Sequence, residues 1–478
     1  MNNNTRIAYS VLINIFIICG LLLILAMSGQ SYDGATLLII ILLTLFSIIN
    51  YTINCLSDKK FKGQYIRCSY LFALGYVIVF FQKNIDLLCG YITSNNAVFY
   101  NSTIINSCAS ISGIGFCCFS IGNILAQNVV KKPQSSSLYR PLRRSFMLFQ
   151  KVMLAICTIY YTFSVFKTVV SGNYAYNEET MAQNAGSLLN YSFVLVLVFT
   201  FTFLVSTIFI CRKDNKTYTL KQYILSNGWL FNGSLVIFLS LQFMIGDRGP
   251  LINICLAYFI SYIIISHKKI KPVPIIIAVI SVGIILSAIS QVRKQAHIVT
   301  MSDIMNKATE SNNGSILPAT QELAGSYKTF TYSVANIPQH RDFFYGTNQL
   351  RELAFSIPMF HRLVPFIFSD KEYENGSTSY CTYLIQGLNR TYGNGSSLLA
   401  DIYLDFGLIG IILILPILGA LIYKFDLALY FGNNLYWMLA ALVFFSFSVY
   451  ISRATLSTPL YYMLPGFLII YMHRYFRK

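Results

Sequence analysis

Charged side chains are scarce in this sequence. Asp, Glu, Lys and Arg make up 11% of its 478 residues, whereas hydrophobic residues make up 55%. A soluble globular domain carries about 25% charged residues. The chain therefore has too little polar surface to cover a water-soluble body of this size. This excludes a soluble multidomain protein and predicts a protein of the lipid bilayer.

Motifs for metal and nucleotide chemistry are also missing. The 11 cysteines form no C-x-x-C and no Cys/His cluster with zinc spacing, and most of them lie in apolar runs as small hydrophobic residues. No D-x-D occurs, so we predict no nucleotide-sugar site. We see no internal repeat and no inverted repeat.

Long apolar runs are present instead. A membrane-spanning helix needs about 20 mostly apolar residues. The sequence predicts twelve such spans, at 8–28, 35–55, 68–88, 104–127, 151–170, 189–211, 223–245, 249–266, 273–291, 395–423, 435–452 and 458–473. The first run is long, lacks an A-x-A site and is followed almost at once by the next, so we interpret it as a span and not as a signal peptide. The predicted fold class is an all-α polytopic membrane protein.

The distribution of positive charge predicts the orientation. With the N-terminus in the cytoplasm, the cytoplasmic loops and termini hold 22 of the 35 Lys and Arg residues and only three acidic residues. The opposite loops 29–34, 89–103 and 171–188 contain no Lys or Arg. The positive-inside rule then places both termini in the cytoplasm. The net charge of +17 is thus a topology signal, and we predict no binding to nucleic acid.

One loop is much longer than the others. Residues 292–394 form a hydrophilic segment on the predicted outer face, with nine basic and eight acidic residues. We divide the chain into a bundle of nine spans at 1–291, this large loop at 292–394 and three further spans at 395–478. Within the loop, 351–368 is apolar and punctuated by charge, which is typical of an interfacial or lid helix, broken here by two prolines.

Two arginines lie near the outer ends of neighbouring spans. Arg248 belongs to the run GDRGP at 246–250, and Arg293 follows span nine. A charge near membrane depth is costly and is retained where it faces a cavity or a partner, and a guanidinium binds phosphate through several hydrogen bonds. Both arginines could contact a lipid pyrophosphate. The structural alternatives are a tight turn with an Asp247–Arg248 interaction, and simple anchoring of Arg293 at the interface.

Charged residues crowd the lid segment. The pairs Arg351-Glu352 and His361-Arg362 lie about two and a half helical turns apart. His361 titrates near neutrality and could remove a proton from a sugar hydroxyl. Glu352 could do the same if burial raises its pKa. The alternative is a salt-bridged amphipathic helix.

Two acids open span ten on one helix face, because Asp401 and Asp405 are four residues apart. Asp401 could orient a catalytic base or bind a sugar hydroxyl, and paired acids can also hold Mg²⁺. Stabilisation of the helix N-terminus is the alternative. Arg453 ends span eleven beside several Ser and Thr residues, which is typical of a pocket edge. We interpret Lys83 and Asp86 as snorkelling residues.

The order of these elements resembles that of the bacterial O-antigen polymerase (Wzy-type) family. The matching elements are GDRG at 246–249, QVR at 291–293, FHRLVP at 360–365 and, most specifically, YGNGSSLLADIYLDFGLIG at 392–410. The topology matches over the whole chain, and the motifs match over about 245–410. Many members carry Glu at the span-ten position, where Asp401 keeps the charge with a shorter reach.

The resemblance implies a GT-C-like glycosyltransferase of the bacterial inner membrane, with its site open to the periplasm. It would transfer the growing glycan from undecaprenyl pyrophosphate to the non-reducing end of the next lipid-linked repeat unit. A chain-length regulator is an implied partner. Because direct attack on the activated donor suffices, we expect inversion at the anomeric carbon, no cofactor and no essential metal.

Specific residues suit this chemistry. Arginines would stabilise the leaving pyrophosphate. The candidates for that role are Arg248, Arg293, Arg351, Arg362 and Arg453. The first candidate base is His361 and the second is Glu352, with Asp401 as a further catalytic candidate.

Three alternatives stay open on the sequence. An O-antigen ligase shares the architecture and the donor. A lipid-linked oligosaccharide flippase or another transporter would place charges along a central cavity, whereas here the early spans are nearly uncharged and polar residues collect at the outer face. A non-catalytic assembly partner would tolerate the loss of Arg248 and His361.

Overall fold

The computed structural model describes most of the chain, namely residues 3–27, 32–133, 142–170, 188–214, 217–245, 247–266, 315–357, 376–473 and 475. Helices, turns and loops make up these residues, and no β-strand occurs among them. The all-α class is therefore confirmed for the described part of the chain.

Sixteen α-helices occur in the described ranges. In chain order they are α1 (Asn3–Met27), α2 (Gly34–Leu56), α3 (Cys68–Leu88), α4 (Ile105–Val129), α5 (Arg144–Val170), α6 (Leu188–Asp214), α7 (Leu220–Asn227), α8 (Trp229–Ile245), α9 (Arg248–Ser266), α10 (Gln321–Ala324), α11 (Tyr327–Asn336), α12 (Thr347–Phe355), α13 (Ser377–Gln386), α14 (Leu398–Phe431), α15 (Leu435–Phe447) and α16 (Leu460–Met472).

The described residues form two compact units. The first comprises those within Met1–Lys131, Ile270–Lys424 and Ser448–Thr458, and the second those within Lys132–Lys269, Phe425–Phe447 and Pro459–Lys478. Helices α1 to α4 and α10 to α13 belong to the first unit, and α5 to α9, α15 and α16 to the second. Helix α14 runs from the first unit into the second.

Eight of these helices, α1 to α6, α9 and α14, are long and apolar enough to cross a membrane. Each coincides with a predicted span, so the chain is a polytopic membrane protein. The predicted span 273–291 lies outside the described residues, and the total of twelve stays a prediction.

The predicted span at 223–245 is not one straight helix. It consists of α7 and α8, which meet at an angle of 95°. Gly228 separates them with a φ of 84°, a left-handed conformation that favours glycine and ends α7. A hydropathy pattern does not show such a bend, because the two helices taken together are apolar enough for a single span.

The last two predicted spans are also shorter than expected. Helices α15 and α16 have 13 residues each, whereas a span needs about 20. The chain leaves the helical conformation after Phe447 and makes a short 3₁₀ turn at Ile451–Arg453. The intervening residues 448–458 belong to the first unit, where they contact the candidate site described below.

Helix α4 is the centre of the first unit, and small residues let α14 approach it closely. A side chain on Gly122 would meet the backbone carbonyl of Pro416, and one on Gly419 would meet that of Phe119. The Asn123 amide, on the same helix, donates to the Gly419 carbonyl over 3.1 Å. Close packing of small residues with interhelical hydrogen bonds is how helices associate where lipid supplies no hydrophobic driving force.

The end of α3 holds a buried polar cluster that anchors the large loop. Lys83 Nζ lies 3.4 Å from Asp86 Oδ2, and both side chains are buried. The Ser315 hydroxyl and the Ile316 N–H donate to Asp86 over 2.8–2.9 Å. The Gln82 amide donates to the Leu317 carbonyl over 2.8 Å. The snorkelling interpretation of Lys83 and Asp86 is therefore wrong, since both side chains are buried and the returning loop binds the Asp86 carboxylate.

Removal of the Asp86 carboxylate should destabilise the protein strongly. Asp86→Ala leaves Lys83 buried without its counter-ion, which typically costs about 3–5 kcal/mol. Asp33 provides a matched control, because its exposed carboxylate only caps α2 and its loss should have a much smaller effect. Thermal unfolding in detergent measures both variants. An equal decrease in Tm for the two would show that the Asp86 cluster does not anchor the loop.

Candidate active site

The structure places the predicted site residues in three groups. Arg351, Glu352, Asp401 and Arg453 all belong to the first unit. Arg248 belongs to the second unit. The remaining candidates, Arg293, His361 and Arg362, lie outside the described residues.

Helix α12 is held by the first turns of α14. It begins after Gly346, which has a φ of 88°. Asp405 Oδ1 accepts a hydrogen bond from the Asn348 N–H over 3.2 Å, and Oδ2 accepts one from the Gln349 N–H over 2.9 Å. A carboxylate thus satisfies the free N–H groups at the start of α12 and interacts favourably with its dipole. Asp405 is a helix cap for another segment, which fixes how α12 presents its own side chains.

Glu352 and Asp401 form a buried acidic pair. The Glu352 side chain on α12 is 7% exposed, and Asp401 on α14 is fully buried. Asp401 Oδ2 accepts a hydrogen bond from the Leu456 N–H over 2.8 Å. The Ser457 hydroxyl donates to Glu352 Oε2 over 3.5 Å. Residues that follow the shortened span eleven therefore reach both carboxylates.

Burial raises the pKa of Glu352 to about 8, and the neighbouring negative charge of Asp401 acts in the same direction. The N–H groups of Ser377 and Thr378 and the Ser457 hydroxyl oppose the shift, because they stabilise the ionised form. At neutral pH the Glu352 carboxyl is thus mostly protonated, and it becomes a stronger base than an exposed glutamate once it loses its proton.

Gly376 allows the start of α13 to approach Glu352. Its φ is 101°, and a β-carbon there would lie 2.5 Å from Glu352 Oε1. Both the backbone conformation and the space therefore require glycine. This contact explains how the N–H groups at the start of α13 come close to a carboxylate on another helix.

Asn348 is a further buried polar residue on the same face of α12. It precedes Glu352 by one helical turn and is fully buried. Its side-chain nitrogen and oxygen form no hydrogen bond within the described part of the chain. A buried amide needs partners that can both donate and accept. A sugar hydroxyl or a water molecule has this property, whereas a metal cation would satisfy only the oxygen.

Arg453 lies at the more exposed edge of this site. Its side chain is 29% exposed, and Nη1 lies 3.4 Å from Oε1 of Glu322, which is 48% exposed. It lies three positions before Leu456, so its backbone lies within about 11 Å of the residue that binds Asp401. The same short segment therefore carries a partly exposed guanidinium and the N–H that binds Asp401.

Arg248 opens α9 in the second unit and is half-buried. The preceding Asp247 accepts a hydrogen bond from the Gly249 N–H over 3.2 Å. This contact supports the interpretation of GDRGP as a turn that starts a helix, and a role for Arg248 in binding pyrophosphate stays a prediction.

Metal ligands are sparse in the part of the chain that the structure describes. It contains no group of three or more His, Cys, Asp or Glu side chains that could hold a metal ion. Glu352 and Asp401 together provide only two carboxylates, fewer than the three ligands of such a group.

The family model for O-antigen polysaccharide polymerase Wzy matches residues 8–478, nearly the whole chain. The chain belongs to this family. No curated protein and no solved structure matches it. Wzy membership confirms the resemblance found in the sequence, and it places the acidic pair in a membrane protein of polysaccharide biosynthesis.

Several residues around the pair in this Wzy protein escaped sequence reasoning. Asn348 could have been found, because it lies one helical turn from Glu352 in a polar segment. Gly376 gave a weaker signal as a glycine in the large loop. The role of the Leu456 N–H could not be predicted from the sequence, because every residue except proline has a backbone N–H donor.

Proposed function

We propose that this chain polymerises O-antigen repeat units at the membrane. It transfers the growing glycan from undecaprenyl pyrophosphate to the non-reducing end of a new lipid-linked repeat unit. The Wzy match over residues 8–478 carries this proposal. The buried acidic pair supports a glycosyl transfer, because the acceptor hydroxyl requires a base.

In this mechanism Glu352 is the base. It takes the proton of the acceptor hydroxyl while the hydroxyl oxygen attacks the anomeric carbon. The bond from that carbon to the pyrophosphate oxygen breaks, and the configuration inverts. The base acts from its ionised form: burial and the charge of Asp401, which the Leu456 N–H fixes, raise the pKa of Glu352 to about 8, so the ionised carboxylate is a stronger base than an exposed glutamate. The Asn348 amide suits the orientation of the acceptor sugar, because its own hydrogen-bonding groups need polar partners.

The leaving group is an anionic pyrophosphate, which departs more easily when a cation stabilises its growing charge. Arg453 is the described arginine best suited to this role, because its side chain is partly exposed and its partner Glu322 is exposed as well. Arg351, which precedes Glu352 on α12, is a second candidate. The donor is already activated, so the proposed chemistry requires no nucleotide and no metal.

We place this site at the periplasmic face of the inner membrane, with both termini in the cytoplasm. Loop 89–103 lacks Lys and Arg, and it contacts helix α11 of the first unit. The Thr331 hydroxyl donates to the Val98 carbonyl over 2.8 Å, and the Tyr100 and Tyr332 rings are 5.2 Å apart. The positive-inside rule assigns such a loop to the outer side. A chain-length regulator is the expected partner there.

The identity of the base can be tested through the pH dependence of polymerisation. If Glu352 is the base, kcat/KM should increase as the pH rises and level off above about 8, because only the ionised carboxylate accepts a proton. Asp401→Asn should move this inflection to lower pH, since it removes the neighbouring negative charge. An inflection near the ordinary histidine value of about 6.5, unmoved by Asp401→Asn, would favour His361 instead.

The function itself is tested by the surface-polysaccharide profile of a strain that lacks this gene. A polymerase predicts that deletion leaves lipopolysaccharide capped by a single repeat unit, and that the wild-type gene restores the ladder. A core without any repeat would indicate a ligase or a flippase. An unchanged ladder would contradict the proposal.

A further inference from the structure

Helix α12 buries polar residues and exposes apolar ones. Its buried face carries Asn348, Arg351 and Glu352, spaced at i, i+3 and i+4. Its exposed face carries Leu350, Leu353 and Ile357 just beyond the helix end, spaced at i, i+3 and i+7 and exposed by 54%, 41% and 42%. A helix at a water-exposed surface shows the opposite arrangement. We call Leu350, Leu353 and Ile357 the apolar stripe.

The apolar stripe lies next to a surface that faces hydrocarbon. On the spanning helix α14, the exposed side carries a stripe of Phe406, Ile409, Leu413 and Ile417. The ring of Phe406 lies against Gly346, the residue that precedes α12, where a β-carbon would be 3.1 Å from Phe406 Cζ. Helix α12 thus begins beside the exposed stripe of α14, although α12 itself is too short to span the bilayer.

We propose that the apolar stripe binds the polyprenyl chain of the lipid-linked donor, while the opposite face of α12 acts on the donor's polar head. This inference rests on the proposed function. The donor is itself amphipathic, with a long hydrocarbon chain joined to an anionic glycosyl pyrophosphate. The exposed apolar face of α12 suits the hydrocarbon chain, and the face with Arg351 and Glu352 suits the anionic head. The two faces are separated by the width of a helix, about 10 Å.

The location of the stripe gives it a use beyond contact with bulk lipid. Leu350 directly precedes Arg351, and Leu353 directly follows Glu352. A chain held along the stripe therefore brings its own pyrophosphate to the helix that carries the candidate base. Binding energy from this remote, non-reacting part of the substrate positions the reacting part.

The test compares two donors that carry the same glycan and pyrophosphate, one on an undecaprenyl chain and one on a short, water-soluble chain. Both donors are blocked at the non-reducing end, so that they cannot act as acceptors, and transfer to one fluorescent lipid-linked acceptor is measured with the full-length protein in proteoliposomes. The variant is Leu350→Gln/Leu353→Gln. The control is Ile409→Gln/Leu413→Gln, which alters the lipid-facing stripe of α14 in the same way.

The stripe variant should raise the KM for the undecaprenyl donor about ten-fold or more, because two leucine side chains lose apolar contact with the chain. Its KM and kcat for the short-chain donor should stay at the wild-type level. The control should change neither KM, and Leu350→Met/Leu353→Met should restore the preference for the long chain. Thermal unfolding verifies that the variants are folded.

Each other outcome contradicts the inference. An unchanged KM for the undecaprenyl donor, or an equal change for both donors, would mean that the stripe contacts only bulk lipid or another protein surface. The same effect in the α14 control would mean that any lipid-facing leucine suffices. Failure of the wild-type protein to transfer from either donor would instead contradict the proposed function, so the two failures are distinguishable.

Discussion

Glu352→Gln should abolish polymerisation without unfolding the protein. Glutamine has the shape of glutamate but cannot accept the proton of the acceptor hydroxyl. The loss of a positioned base typically lowers a rate by about 10²- to 10⁴-fold. The measurement is the initial rate of glycan transfer by the purified variant relative to wild type. Glu322→Gln is the matched control, because it neutralises an exposed carboxylate in the same unit and should retain polymerisation.

The stability of the wild-type protein should fall over the pH range in which its activity rises. The pKa of Glu352 is raised in the folded protein, to about 8, so the ordinary carboxyl of the unfolded chain ionises first as the pH rises. The wild-type protein therefore loses stability between pH 4.5 and 8, by roughly 4–5 kcal/mol. Glutamine has no such penalty.

We consequently expect the Tm of Glu352→Gln to equal that of wild type near pH 4.5 and to exceed it at pH 8. A variant that is inactive and more stable at high pH would separate a catalytic role from a structural one. Retained polymerisation, or a Tm difference that does not change with pH, would contradict the assignment of Glu352.

Arg453→Ala has the second-largest expected effect, a decrease in the transfer rate of about 10²- to 10³-fold. This is the range for removal of one group that stabilises charge in a transition state. Arg453→Lys should recover part of the rate, because it keeps the charge and loses the planar fork that binds phosphate. The rate of transfer from the lipid-linked donor measures each variant.

The ion pair with Glu322 provides the control for Arg453. An exposed pair of this kind contributes about 0–1 kcal/mol to stability, so its loss alone should matter little. Glu322→Gln breaks the same contact and leaves the guanidinium in place. If Arg453 only supported the fold through this pair, the two variants would lose activity equally. We expect Glu322→Gln to remain close to wild type.

Hydropathy predicted the helices well and their interruptions poorly. Long apolar runs identify spans such as α1 and α2, because the cost of exposing backbone and charge to lipid leaves few alternatives. The break at Gly407, with a φ of 61° and a ψ of −151°, lies inside such a run. A glycine in a span is common, so the residue alone does not reveal that the backbone departs from a helix there.

The candidate site was predictable to the extent that it consists of charged side chains in unexpected places. Glu352 was a candidate because charged residues crowd the lid segment, and Asp401 because acids at the start of an apolar span are unusual. Their environment was not predictable. The Leu456 N–H reaches Asp401 across 55 residues of sequence, and Asp405 caps a helix that begins 58 residues earlier. Such contacts depend on tertiary packing and leave no local pattern.

The burial of Lys83 and Asp86 also depends on a tertiary contact that the local sequence does not predict. A lysine and an aspartate near the end of an apolar helix are ordinarily free to reach the interface. Here Ser315 returns from the large loop and encloses the carboxylate. The partner that buries Asp86 lies more than 200 residues away in the sequence. No feature of residues 68–88 predicts this contact.

The most direct test of the central claim is transfer by the purified protein in proteoliposomes supplied only with a lipid-linked repeat unit, compared for wild type and Glu352→Gln. Wild type should produce glycans of two or more repeat units and release undecaprenyl pyrophosphate, whereas Glu352→Gln should produce neither. Equal product from both proteins would contradict the role of the acidic pair, and no product from wild type would contradict the proposal that this chain is a polymerase.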